Sequence, residues 1–347
     1  MTVLTRQRRA SLALAIALVA AAVPTTDACT IPVFRFALDR WDADAFRLVI
    51  PAAWNTRPDL VKLLVPLRGN GDANVRIEES PDPTATDAQL LFPNTDAALW
   101  SGKLDAATLA PLLESPARRE LVKRILAGDS LVWVVCTGTS DSAEAQRIEK
   151  RLRYLEQVAT LPTQDPSDAD SQPGPGPPLA LRFSVLRVAL ADPAERLFAA
   201  MLAGPNHQDW LAKGTSFAAP VFAKGRVIGA WPLAELDDPA IEDASLFLIG
   251  RCSCRVKDSN PGWDVLLNID WQRALAQVGK SANAQAAPSA EAAGPITVTA
   301  VPSPTAADRP PTTGSLPWPT IGCVVVAIVS ILAGAFLWRV APIKRHP

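Results

Sequence analysis

The sequence predicts an exported α/β ectodomain carried on one C-terminal membrane span. Three observations predict it. Between residues 130 and 250, short β-branched and aromatic runs alternate with helical periods, the order of a layered α/β fold. At the N-terminus, Arg6, Arg8 and Arg9 precede 13 apolar residues, 11–23. Near the C-terminus, residues 320–341 form a 22-residue run whose single charge is Arg339.

The first apolar run is too short to span a bilayer and reads as a signal peptide, residues 1–28, cleaved ahead of Cys29. The residues before Cys29 lack the aliphatic and small pattern of a lipidation signal. The second run covers roughly 33 Å as a helix, enough to cross the hydrocarbon core. Trp318 and Trp338 bracket it, and Arg339, Lys344 and Arg345 follow. Aromatic belts and trailing positive charge put the ectodomain outside the cytoplasm and the C-terminus inside, as a single-pass protein of the cell membrane.

Helix ends are marked in order along the chain. Residues 58–67 read as a helix behind Pro58, and a second covers residues 106–113. Ser115-Pro116 opens one that Gly128 closes. Ala145, Ile148, Leu152, Leu155 and Ala159 recur at 3, 4, 3 and 4 residues, one face of a helix over 141–159. In Asp192-Pro193-Ala194-Glu195, Asp192 stands at an N-cap, Pro193 at the first helical position and Glu195 at the capping-box position, and Gly204-Pro205 ends that helix. Asp238-Pro239 opens another, which Gly250 follows.

Strands fall between these helices, at residues 46–50, 74–78, 90–92, 98–102, 131–135 and 183–190. Residues 221–223 and 227–231 are expected to pair across the Lys224-Gly225 turn. Residues 162–178 (PTQDPSDADSQPGPGPP) have no apolar period and read as a disordered loop. The expected organisation is an N-terminal α/β domain (29–128), a second α/β domain (129–275) carrying 162–178 as an insertion, an Ala/Pro-rich stalk (276–316), the membrane span (317–341) and a short cytoplasmic tail (342–347).

Strand, helix, strand, helix, strand, strand, helix over 130–250 resembles the thioredoxin-like fold. The stretch Ala219-Pro220-Val221-Phe222-Ala223-Lys224-Gly225-Arg226-Val227 is similar to the segment of that family where a cis-proline precedes the third strand. The resemblance implies that Pro220 is that proline, and residues 46–113 repeat the pattern in outline. The family's Cys-x-x-Cys is absent: Cys136-Thr137-Gly138-Thr139 stands there with one cysteine. Two further stretches, Cys29-Thr30-Ile31-Pro32-Val33-Phe34-Arg35 and Cys252-Ser253-Cys254-Arg255-Val256-Lys257, resemble a group of uncharacterised secreted, membrane-anchored bacterial proteins. That likeness implies export and anchoring but no chemistry.

Composition narrows the chemistry. His207 and His346 are the two histidines, so a Ser-His-Asp triad or a multi-histidine cage would rest on His207 alone. Residues 29–316 hold 28 basic against 34 acidic side chains, a poor match for nucleic acid. No cofactor is expected. Eight tryptophans are spread over 29–316 and suit core packing better than a ligand platform.

Cys29, Cys136, Cys252 and Cys254 are exported into a compartment that permits disulfides. Cys29 could clamp the N-terminus to Cys252 or Cys254. A strained, reducible Cys252–Cys254 bond, or a thiolate metal site, are the alternatives. Cys136, at a strand end, reads as a buried and inert thiol. Two functions compete. One is a non-catalytic recognition or accessory module of an envelope complex, with a protein partner. The other is a thiol–disulfide oxidoreductase using Cys252/Cys254 or Cys136.

Overall fold

The computed structural model describes residues 30–68, 72–138, 142–250 and 257–286. The expected signal peptide and membrane span, and Cys29, Cys252 and Cys254, fall outside the described residues. Among the described residues no helix is long and apolar enough to cross a membrane.

The first sheet holds β1 (Phe46–Ile50), β2 (Val75–Glu79), β3 (Ala88–Leu91) and β4 (Ala98–Gly102) in the order β2-β1-β3-β4. β1 runs parallel to β2 and antiparallel to β3, and β4 is antiparallel to β3. Parallel neighbours need a crossover, supplied by α2 (Pro58–Leu64) with Pro58 in its first turn. Helix α1 (Val33–Arg40) precedes β1, and α3 (Ala106–Leu113) follows β4. Asp105 and Thr108 start α3 with a reciprocal cap: Thr108 N donates to Asp105 Oδ1 at 2.8 Å and Asp105 N donates to Thr108 Oγ1 at 2.9 Å.

Helix α4 (Pro116–Leu126) leads to the second sheet. Its strands are β5 (Leu131–Thr137), β6 (Phe183–Ala189), β7 (Phe217–Phe222), β8 (Arg226–Val227), β9 (Trp231–Pro232) and β10 (Trp263–Asp264). The order is β10-β8-β7-β5-β6, with β9 also paired to β7. β5 is parallel to β6 and antiparallel to β7, and β8 is antiparallel to β7. Both sheets therefore share one wiring. The helices are α5 (Ser142–Val158), α6 (Arg196–Ala203), α7 (Asp209–Lys213), α8 (Asp238–Ile249) and α9 (Trp271–Ala286). The expected hairpin forms, with Val221 opposite Val227 and Phe222 opposite Arg226.

Every residue from Leu131 to Cys136 is buried, so both faces of β5 are covered. Strand parity separates the two layers. Trp133 Nε1 donates to Ser245 Oγ of α8 at 3.4 Å, whereas Cys136, of opposite parity, lies in the field of Glu195 beside α6. Buried residues of both sheets belong to one continuous core, on either side of residue 128.

The structure corrects several expectations. Pro220 is the fourth residue of β7, not its start; it pairs with Trp133, and its peptide bond is trans. Its carbonyl accepts from Ile228 N at 3.2 Å. The N and O of one strand residue point to the same side, so the missing N–H faces the gap between β8 and β9, where no ladder bond is lost.

The stretch 162–178 is fixed, not disordered. Buried Arg35 donates to Gly174 O at 2.5 Å and to Pro177 O, while Gly174 N donates to Asp39 Oδ2 at 2.7 Å. Thr30 N donates to Ser171 Oγ at 2.9 Å. Lacking a hydrophobic period, the loop takes its order from these polar clamps on α1. Helix α9 runs to Ala286, past residue 276 where the stalk was expected.

Glu195 does not complete a capping box. Residues 192–195 form a turn, with Ala194 N donating to Asp192 Oδ1 at 2.9 Å, and the helix begins at Arg196. The Glu195 carboxylate caps a different helix, α4. Ser115 Oγ donates to Glu195 Oε2 at 2.6 Å and Ala117 N donates to Oε1 at 2.7 Å. Arg118, 2 % exposed, donates through Nε to Ser115 Oγ at 3.3 Å and through Nη1 to Leu112 O at 2.9 Å. Burial lowers the Arg118 pKa to about 10, and the Glu195 charge opposes that fall.

Replacing Glu195 with Ala removes two bonds to the start of α4 and the larger of the two carboxylate charges that offset the burial of Arg118. Glu195→Ala is expected to destabilise the fold by about 3 kcal/mol. Asp192→Ala removes one exposed turn bond and is expected to cost less than about 1 kcal/mol. Urea unfolding of the two variants checks this; equal losses would return Glu195 to a local capping role.

Candidate functional site

The position singled out by the sequence is the end of β5, ahead of α5. Cys136 pairs with Phe217 across the sheet, and its side chain is fully buried. Burial pushes the thiol pKa far up, and the Glu195 charge adds to the shift. A neutral thiol without solvent access is neither nucleophile nor metal ligand. Beyond it, Gly138 N donates to Ser216 Oγ at 3.2 Å at the edge of a cavity of about 620 Å³. Glu144, Arg147, Thr215, Leu236 and Asp238 also line this cavity. Its charges are engaged: Arg147 donates to Glu144 Oε2 at 2.9 Å, to Asp238 and to Leu236 O, and Asp237 Oδ1 accepts from Ala240 N at 2.9 Å. Its described lining contains no thiol and no histidine. Among the described residues no group of three or more His, Cys, Asp or Glu side chains could hold a metal ion.

His207, read as a solvated loop residue, packs against Trp210 with ring centroids 4.3 Å apart, and its Nδ1 lies 3.3 Å from Ala203 O. The tryptophans behave as core residues. Trp41, Trp54 and Trp133 are buried, and Trp133 packs on Trp231 at 6.0 Å. The described parts of the 29–35 and 252–257 stretches both contribute latches. Arg35 of the first holds the 174–177 loop. Lys257 of the second bonds Asp42 O at 2.6 Å, pairs with Asp44 at 2.8 Å and also pairs with Asp264.

A feature the sequence reading missed lies on α5 and α8. Arg147 pairs with Asp238 and Arg151 pairs with Glu242. Both partners advance by four, so the helices run side by side in parallel register, with facing stripes one turn apart. Tyr154 and Val158 continue the Arg147–Arg151 stripe of α5 and Leu246 continues the Asp238–Glu242 stripe of α8, with Phe247 next to it and about 100° further round the helix. Arg151 also lies over the Tyr154 ring, 4.8 Å from its centroid. These four apolar residues are between 39 and 54 % exposed. The charged halves of the stripes satisfy each other, whereas the apolar halves meet solvent. Tyr154 and Val158 share the α5 periodicity, which could have revealed their face; the ion-pair register joining them to α8 required the fold.

The burial of Cys136 makes a direct forecast. At pH 8.5, iodoacetamide should modify Cys136 of the folded chain only through global unfolding, as read by peptide mass. Because the unfolded thiol ionises first, stability is held below its ordinary pKa of about 8.5 and falls as pH rises beyond it. Fast labelling of Cys136 under native conditions would mean that the strand end is open.

No protein-family model, no curated protein and no solved structure matches the chain.

Proposed function

We propose that the chain is a membrane-tethered, extracytoplasmic recognition or accessory module of an envelope complex, with no catalytic role of its own. The observation that carries this reading is the exposed end of the α5–α8 pair, where Tyr154, Val158, Leu246 and Phe247 stand beside a ladder of ion pairs. Aromatic and aliphatic side chains next to arginine are the composition of a protein-docking centre. Covering such a side chain stabilises a complex by up to about 1.5–3 kcal/mol before ordering costs. The export signal and the 22-residue C-terminal run support a module held at the membrane.

The finer fold assignment belongs to the same proposal. The order β6-β5-β7-β8, with one parallel and two antiparallel junctions, supports a thioredoxin-like second half. The order β2-β1-β3-β4 supports a shortened version in the first half. Such wiring without an accessible thiol at the end of β5 favours recognition over thiol exchange at Cys136.

A disulfide from Cys29 to Cys252 or Cys254 is part of the reading. Val33 N donates to Gly250 O at 3.2 Å, which brings together the described chain four residues after Cys29 and two residues before Cys252. Peptide mapping of the unreduced protein should find Cys29 in a long-range bridge; a Cys252–Cys254 bond with free Cys29 would contradict it. Docking is tested by a photo-crosslinking residue placed at 154, 247 or 84 in cells. Positions 154 and 247 should give one shared cross-linked species, and exposed position 84 none. A double Tyr154→Glu, Phe247→Glu variant, probed from Val158, should lose the species. Equal cross-linking from all three positions would remove the docking centre.

A further inference from the structure

A second surface is independent of the α5–α8 end. A groove of about 490 Å³ opens between β4 and α3 on one side and α6 and α7 on the other. This is the size of a small-molecule site. Leu112 and Ala200 are buried at its floor, and Leu99, Trp100, Leu197 and Leu211 form half-buried walls.

The polar groups at the groove are asymmetric. Thr108 is engaged in the α3 cap, and Gln208 donates to Ala200 O at 2.9 Å and to Gly204 O at 2.6 Å. Two donors are unspent. The exposed guanidinium of Arg196 has no ion-pair or hydrogen-bond partner among the described residues, and neither has the Trp100 indole N–H. No carboxylate lines the groove. The nearest acid in sequence, Glu195, is turned away to cap α4. An aliphatic trough with one uncompensated cation and one indole donor at its edge is complementary to an apolar molecule bearing one negative head group.

The geometry points to a binding site for a monoanionic amphiphile of the fatty-acid class, its tail against Leu112, Leu197 and Ala200 and its carboxylate at Arg196. The same β4–α6 packing that joins the two halves builds the trough. An occupant would touch both halves at once and strengthen their contact.

The test uses the full chain in its native membrane and dodecanoate carrying a photoreactive diazirine on the tail. Mass mapping should place the adduct on peptides containing Leu197 or Trp100. Arg196→Gln, an exposed change that leaves packing intact, should lower labelling about tenfold, the loss of one charged hydrogen bond. The matching dodecanol probe should be indifferent to Arg196→Gln. Ala200→Trp, which fills the floor, should abolish labelling by both probes. Adducts confined to other surfaces, or labelling by dodecanoate unchanged in Arg196→Gln, would overturn the proposal. So would displacement by a peptide C-terminal carboxylate but not by unlabelled dodecanoate, which would make the occupant a peptide.

Discussion

The buried carboxylate of Asp264 ties the described fold together. It is 2 % exposed and faces Arg226 at 3.4 Å and the ammonium of Lys257, while Asp44 N donates to it at 2.6 Å. One side chain thereby ties β10, β8, the 257–259 turn and the entry to β1. The segment that follows it stitches the two sheets. Asn74, just before β2, donates to Asp44 O at 2.9 Å and Val265 O at 3.2 Å, and accepts from Leu267 N at 2.8 Å. Ala73 bridges Asn268. Removing one partner from such a buried cluster costs about 3–5 kcal/mol, although an apolar replacement of the whole cluster could be equally stable. What the charges fix is register. Gly262 serves the same segment: with φ +107°, it passes so close to β8 that a Cβ would lie 1.8 Å from Val227 O.

Two other polar latches work in the same manner. Arg35 with Asp39 organises a loop that contains almost no apolar side chain, and Glu195 caps α4 from across the core. Trp263 adds an apolar counterpart. Its ring lies over Gly204, and its Nε1 donates to Met201 O at 2.8 Å, closing the end of α6. The end of β5, where Cys136 reads from sequence as a buried, inert thiol with thiol exchange as the alternative, presents no accessible thiol among the described residues. The unspent functionality lies instead on surfaces: the apolar end of α5 and α8, and the Arg196 groove.

Local patterns were legible in the sequence and long-range ones were not. β1, β4 and α3 appear at their expected residues because their apolar spacing and caps are local. The α5 period located its buried face, with Ala145, Ile148, Leu152 and Leu155 all in the core. Helix α1 was read only as a motif, since its eight residues span only about two turns, too few to set a helical period, and Val33 to Leu38 are all buried. The start of β7 was missed because Phe217-Ala218-Ala219-Pro220 carries a proline that only the β8–β9 gap explains. Glu195 sits three residues after Asp192, the spacing of a capping box, and nothing local signals that its partner is Ser115, 80 residues away. The 162–178 loop reads as disordered for the same reason: its order is supplied by Arg35 and Thr30 from far upstream.

The central claim is that this wiring serves recognition and not thiol exchange. The most direct measurement is reduction of insulin by dithiothreitol, followed by turbidity, with the purified full chain at catalytic amounts. The account predicts the uncatalysed lag and rate. A shortened lag that disappears in a Cys252→Ser, Cys254→Ser variant would contradict it and make the chain a thiol–disulfide oxidoreductase.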